Sequence, residues 1–408
     1  MRELAAVFVN EWMKLVRRRR FLVTTVLSLF VVALFGLVAY HRYHDDLRYN
    51  PTSQLQSQEA ELKQQIAELQ QQPSSKDRDM QLTQQKQKLA AVEDQLNQNQ
   101  QAQGDGWKTE LQRQISVDEA TIRQLQSSTK PEDVVQVEGA RANLMQDRYA
   151  LDHNVKPLTW PTVNVFQQVI QFMNVGARIF LPLLVIVLVA DMVSGEATDG
   201  TIKLLLIRSV SRVNIWVGKW LVSLVASAGW TLLLCVALLL IGFSIMGVRG
   251  AAQPILTNVY YTAVTMPPME GVGSPGTLTI PHYEHAQVLP AWQFVGFGFL
   301  YTALAMMVVA TIAMLCSTLF RSAMVSTAAA MGSIVVGFIV MQMAQHERWV
   351  AWLFPTHLNL MDNWNGDLSN ALWQPVGLAT GLLVLGVWAV LALAVAILQF
   401  RHRDVLNT

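Results

Sequence analysis

Residues 21 to 40, FLVTTVLSLFVVALFGLVAY, run for a full membrane thickness without one charge. Lipid cannot hydrogen-bond a bare backbone, so a run like this must close its own hydrogen bonds as a helix of about 20 residues. Five more such runs follow, at about 170–191, 218–246, 291–315, 323–344 and 376–399. Composition agrees: 52% of the 408 residues are hydrophobic and 14% are charged, against roughly 25% charged in a soluble domain. The expected fold is an all-α integral membrane protein with six transmembrane helices. The first run exceeds a usual signal h-region and no A-x-A site follows it, so an uncleaved anchor is expected.

Six spans put both termini on one side, and the basic residues say which. With the ends in the cytoplasm, the inner segments hold Arg2, Lys14, Arg17, Arg18, Arg19, Arg20, Lys203, Arg208, Arg212, Lys219, Arg321, Arg401 and Arg403. The two short outer loops then hold only Arg249 and Arg348, which is the positive-inside bias. The net charge of +1 carries no signal for nucleic acid. Cys235 and Cys316 fall at different depths, so two small buried hydrophobes are expected rather than a disulfide.

The chain divides into residues 1–20, the first span at 21–40, an outer insertion at 41–168 and the remaining spans at 169–408. In the first part, Leu4, Val7, Phe8, Trp12 and Leu15 share one helical face, opposite Glu3, Asn10, Lys14 and Arg17. This predicts an amphipathic helix lying in the membrane surface. The insertion is polar, with Leu55, Leu62, Ile66 and Leu69, then Leu82, Leu89, Val92 and Leu96, then Leu111, Ile115, Ile122 and Leu125 at heptad-like spacing. Breaks at QPSSKD, GDGW and STKPED predict helices folded back on one another as a coiled-coil hairpin or small bundle. Pro157 and Pro161 end helix on the way back, with Trp160 at an interface depth. Residues 247–290 read as a Gly- and Pro-bearing loop, and the Trp-rich residues 345–375 as a segment resting on or dipping into the outer leaflet.

Few groups suggest catalysis. His41, His44 and Asp45, and likewise His282, Glu284 and His285, cluster without the spacing of a helical zinc motif, and no G-x-S-x-G elbow occurs. Gly195 and Gly200 have the first half of a phosphate loop's spacing, but Thr201 and Ile202 stand where its Lys and hydroxyl residue belong. The chain is therefore read as non-catalytic, with no metal site. Arg178 falls inside the second apolar run, either as a functional intramembrane charge or snorkelling to headgroups. Ser326, Ala330, Ser333 and Gly337 form small-xxx-small pairs in the fifth, suited to helix packing within or between subunits or to lining a pathway.

The stretch DMVSGEATDGTIKLLLIRSVSR, residues 191–212, concentrates charge between two apolar runs. Glu196 and Asp199 precede a Gly-Thr start, and Arg208 and Arg212 follow the apolar Ile202, Leu205 and Leu206, an order that suits a short helix's dipole. Together with Gly218 and Lys219, the pattern E-x-x-x-G-T-I-K-L-L-L-x-R-x-V-S-R then G-K resembles the first cytoplasmic loop of ABC-2 type exporter permeases. NEWMKLVRRRRF resembles their N-terminal connecting helix, and Arg401, Arg403 and Asp404 echo their endings. The resemblance implies a coupling segment at 192–217 in which Glu196, Asp199, Gly200, Thr201, Lys203, Arg208 and Arg212 make or orient the contact with a separate ABC ATPase. It implies a bacterial plasma-membrane exporter of two permeases and two ATPases, with ATP and magnesium in the partner chain and none here. It places the second and fifth spans, with Arg178, Ser326, Ala330, Ser333 and Gly337, at the pathway or dimer interface. Two alternatives stay open: a mechanotransmitting subunit acting through its outer stalk, and a coiled-coil scaffold or sensor without transport.

Overall fold

The computed structural model describes residues 2–71, 73, 75–104, 106–198, 211–265 and 277–402. Helix α1 (Arg2–Arg17) leads into α2 (Arg19–Arg48), the first span. At about 1.5 Å per residue α2 is roughly 45 Å long, so its last turns stand clear of a ~30 Å hydrocarbon core. Its buried side is a narrow stripe of Thr24, Ser28, Val32, Gly36 and Ala39. Leu22, Val26, Phe30 and Leu37 are exposed, as lipid contact requires.

The insertion forms two helical hairpins, α3 (Pro51–Gln71) on α4 (Lys76–Gln103) and α5 (Trp107–Leu125) on α6 (Pro131–Asp152). Lys63 and Glu93 join the first pair at 3.2 Å, and Arg148 and Glu119 the second at 2.8 Å. The turns fall at the expected breaks, where Ser75 caps α4 by accepting from the Arg78 N–H and Pro131 opens α6. The chain returns through Trp160, whose indole N–H donates to the Asp46 carbonyl at 2.8 Å, and Val163, whose N–H donates to the Asp46 carboxylate at 2.9 Å.

Span 2 is a composite of α7 (Val165–Val175), a π-helical turn (Gly176–Phe180), α8 (Leu181–Val189) and, after a turn, α9 (Ser194–Thr198). The π turn has a local cause. Pro182 lacks an N–H and crowds the carbonyl four residues back, and the chain widens just before it, with the Leu181 N–H reaching Gly176. Spans 3 to 6 are α10 (Arg212–Met246), α11 (Ala291–Leu319), α12 (Ala323–Met343) and α15 (Leu378–His402). Among the described residues, six helices are long and apolar enough to cross a membrane, so this is a mostly helical, multi-pass membrane protein. Both cysteines are free.

One expectation is corrected. The fold is not purely α, because residues 247–290 are more than a loop. Strand β1 (Pro254–Thr257) pairs antiparallel with β4 (Gln287–Pro290), and β2 (Tyr260–Thr265) with β3 (Thr277–His282), one ladder nested inside the other. The β-branched and aromatic YYTAVT suits a pleated strand, and Asn258 at φ 58° supplies the kink between β1 and β2. On α1, Val7, Phe8, Trp12 and Leu15 form the inward face. It packs on α10 and the main core, while Val9, Met13 and Val16 form the exposed apolar stripe.

The hairpins, the ladders and the 345–377 segment share one end of the bundle, called here the hairpin end; α1 and residues 190–198 mark the opposite, basic end. In the 345–377 segment, α13 (Leu360–Asn365) and α14 (Asp367–Leu372) follow two 3₁₀ turns. Leu358, Leu360 and Met361 are buried, and Trp364 stacks on Phe294 with centroids 5.2 Å apart. Trp349 and Trp352 are exposed beside them. The Tyr261 N–H donates to the Ser369 hydroxyl at 2.7 Å, tying β2 to α14.

Candidate functional site: the clamp on the segment after span 2

Span 2 emerges at the basic end through residues 190–198, and every neighbouring element grips it. On one side stand α1 and α10. Gly218 lets α1 lie close, for a Cβ there would come within 2.5 Å of Val7 Cγ1. The next residue, Lys219, is then carried inward: its Nζ donates to Glu11 Oε2 at 2.6 Å and to Glu196 Oε1 at 2.8 Å. Lys14 Nζ completes the group, 2.8 Å from Glu11 Oε1 and 3.3 Å from Glu196 Oε1. Two ammonium groups and two carboxylates alternate, so the cluster is electrically neutral. The side chains of Lys219, Glu11 and Glu196 are only 3%, 4% and 9% exposed, whereas Lys14 is 40% exposed.

Burial of this kind costs several kcal/mol per ion and is tolerated only where partners restore the lost hydration. The helix α1 shows the result. Burial pushes the Glu11 carboxyl up, but Lys219 and Lys14 together hold it below its ordinary value. Burial likewise lowers Lys14, and Glu11 and Glu196 outweigh it, so its ammonium is held above the ordinary range.

A second ionic contact sits one turn away. Asp191, at the end of span 2, accepts from Arg18 Nη1 at 3.1 Å and from Arg20 Nη1 at 2.9 Å. Two residues of the RRRR run thus hold the tip of span 2 as well as flanking a span. On the opposite side, spans 4 and 5 supply hydroxyls at the same basic end. Ser317 Oγ accepts the Val193 and Ser194 N–H groups, each at 3.0 Å. Ser326 Oγ donates to the Ala190 carbonyl at 2.7 Å, and Thr198 Oγ1 donates to the Arg321 carbonyl at 3.2 Å. The Trp216 indole donates to Thr318 Oγ1 at 2.9 Å and fixes α10 to span 4 behind them.

The sequence-derived positions distribute unevenly. Glu196 lies inside the ionic cluster. Asp199, Gly200, Thr201, Lys203 and Arg208 lie outside the described residues, and Arg212 opens α10 with its side chain outside them. Ser326 and Ala330 are buried within the chain, and a Cβ at Gly337 would meet Pro355 Cγ at 2.3 Å, so these three pack intramolecularly. Ser333 is half-buried and its hydroxyl donates to its own helix at Ala330. Arg178 sits in the π turn, midway along span 2, ion-paired with Asp362.

Sequence reasoning missed Glu11, Asp191 and Asp362. The signal for Glu11 was present, as a lone carboxylate between Phe8, Trp12 and Leu15 on the stripe that faces the core. Asp362 was signalled in the same way, by one acid in the apolar HLNLMDNW.

Six apolar helices with a charged segment clamped at one end define a multi-pass membrane component, with no cluster of metal-ligating side chains among the described residues. The family comparison makes the class specific: the ABC-2 family transporter profile matches residues 5–405, and the chain belongs to that family. It is also similar to an uncharacterized protein of Bacillus subtilis strain 168, YhcI, at 23% identity over 302 residues, covering 74% of this chain and 85% of that one. Members of the family are membrane subunits that work with ABC ATPases.

Proposed function

We propose that this chain is the permease subunit of an ABC exporter, moving a substrate outward across a bacterial plasma membrane with energy from ATP hydrolysed by a separate ATPase. Residues 192–217 are the coupling segment. Lys203, Arg208 and Arg212 make the ATPase contact together with Asp199, Gly200 and Thr201, and Glu196 orients the segment from inside the bundle. A pair of such chains forms the exporter, with both termini in the cytoplasm and the hairpins outside.

The observation that carries this reading is the grip on residues 190–198. A segment required to pass force between a soluble motor and a transmembrane helix must not slip against the bundle. Here it is held by Glu11, Lys14, Arg18, Arg20 and Lys219 on one side and by Ser317, Arg321 and Ser326 on the other. A connector without mechanical duty needs no such neutral, buried cluster, whose formation gives little net stability over an apolar equivalent.

The test is capture of the detergent-solubilised chain from its native membrane. A P-loop ATPase is expected with it, and changing Lys203, Arg208 and Arg212 together to Ala is expected to release that ATPase while leaving the chain folded. Capture of no ATPase across several mild detergents would sink the exporter reading.

A further inference from the structure

Span 2 holds three charged residues, and all three are tied. Asp191 and Glu196 are clamped at the basic end, and Arg178 is paired at the hairpin end with Asp362, whose side chain is 2% exposed. Eighteen residues separate Arg178 from Glu196, about 25 Å along the span. Span 2 therefore carries ionic contacts at its basic end and, on the far side of α8 and the turn at 190–193, at its middle.

The hairpin-end contact belongs to a larger buried network. One turn before Arg178, Asn174 Oδ1 accepts from Asn359 Nδ2 at 3.1 Å. Asn363 Nδ2 donates to His357 Nδ1 at 2.9 Å and to the Gly377 carbonyl at 3.2 Å, while His357 Nε2 donates to the Ala351 carbonyl at 2.7 Å. Asn359, Asp362 and Asn363, spaced three and four apart, lie on one face of α13 and its cap. Yet Arg178 Nε, Asn359 Oδ1, Asp362 Oδ1 and Asn363 Oδ1 are buried without a partner in the chain. The network is thus only partly satisfied from within the chain, and such a network holds its members less firmly than a complete one. It is also built on a π turn, where a helix readily changes register.

We infer that the Arg178–Asp362 pair is a releasable latch between span 2 and the segment joining spans 5 and 6, closed in this conformation and opened when the basic end of span 2 is displaced. The inference rests on the proposed coupling role of residues 192–217. It gives the exporter an outer closure that reads the state of the motor through span 2: displacement of the clamp turns or draws α8 through the turn at 190–193, Arg178 leaves Asp362, and residues 354–372 are loosened from the bundle.

Hydrogen exchange measured by mass spectrometry on the full chain in lipid nanodiscs tests the latch without any ATPase. Glu196→Gln loosens the basic end, and Asp191→Asn loosens it independently by freeing Arg18 and Arg20. Either is expected to raise amide exchange across residues 354–372 by about tenfold, the signature of a local opening equilibrium. Arg178→Met with Asp362→Leu removes the charges while keeping apolar volume, a replacement buried pairs tolerate. In that background the same basic-end changes are expected to leave 354–372 unmoved. Unchanged exchange at 354–372 in both Glu196→Gln and Asp191→Asn would overturn the latch, as would a response that persists without the pair. ATPase capture is read separately: its failure with the exchange pattern intact sinks the exporter reading alone, and the reverse sinks the latch alone.

Discussion

Lys219 shows how one side chain can organise a membrane protein's end. It is a cation in a helix that reads as a span, a placement that is expensive unless every donor finds an acceptor. Glu11 and Glu196 provide them from residues 208 and 23 positions away. Lys219→Met is therefore expected to cost about 3–5 kcal/mol, the penalty for leaving buried carboxylates with too few cations. Thermal unfolding in nanodiscs would show it as a lowered midpoint, and adding Glu11→Gln to Lys219→Met is expected to recover part of the loss. A midpoint unchanged by Lys219→Met would mean the cluster is hydrated rather than buried. The sign with pH follows from Glu11. Its carboxyl is held below the ordinary 4.5, so its contribution is complete above that value and is lost as pH falls through the lower folded value.

Elements differ in how far their own sequence declares them. The spans declare themselves because lipid imposes one requirement on every residue of a 20-residue run, so FLVTTVLSLFVVALFGLVAY has no other reading in a bilayer. The hairpin breaks are equally local, set by Pro, Ser and Gly. The nested strands were not legible, since β1 and β2 pair with partners across residues 266–276 and only the YYTAVT composition hints at them. The clamp was legible in half: Glu196, Gly218 and Lys219 stand in the loop pattern, but which acid meets which base across 182 or 208 residues is a property of packing. The α5/α6 hairpin carries a prediction of its own. Asp147 is pushed up to about 6 by burial and by the facing Asp118, itself raised by burial. A raised carboxyl favours the folded state when protonated, so this hairpin is expected to gain stability as pH falls from about 7 through 6 toward the ordinary 3.8. Because both groups keep some solvent contact, the effect is about 1 kcal/mol rather than the full shift. Asp147→Asn is expected to flatten that dependence and raise neutral-pH stability, measured by exchange protection of residues 107–152 at pH 5 and 7. Equal protection at both pH values in the unmodified chain would refute it.

Across the whole molecule, α1 is the piece that joins the two halves of the basic end. It touches α2 and α10, meets Lys219 through Glu11, and through Lys14 reaches the tip of span 2. Deleting residues 2–17 leaves Lys219 facing Glu196 alone and bares the Gly218 surface. The expected outcome is a chain that still inserts, since all six spans remain, but loses ATPase capture because residues 192–198 keep only their contacts to spans 4 and 5 and the loop between them. Retained capture would assign the coupling geometry to spans 4 and 5 alone. The clamp also has a timetable. Glu11 leaves the ribosome 208 residues ahead of Lys219, and at roughly 5–20 residues per second that gap is about 10–40 s. During that interval α1 has only Lys14 beside its carboxylate, while α2, the hairpins and span 2 are synthesised. The basic end is thus completed by the arrival of span 3, and a nascent chain stalled before residue 219 would be recognisable to quality control by an α1 still undocked.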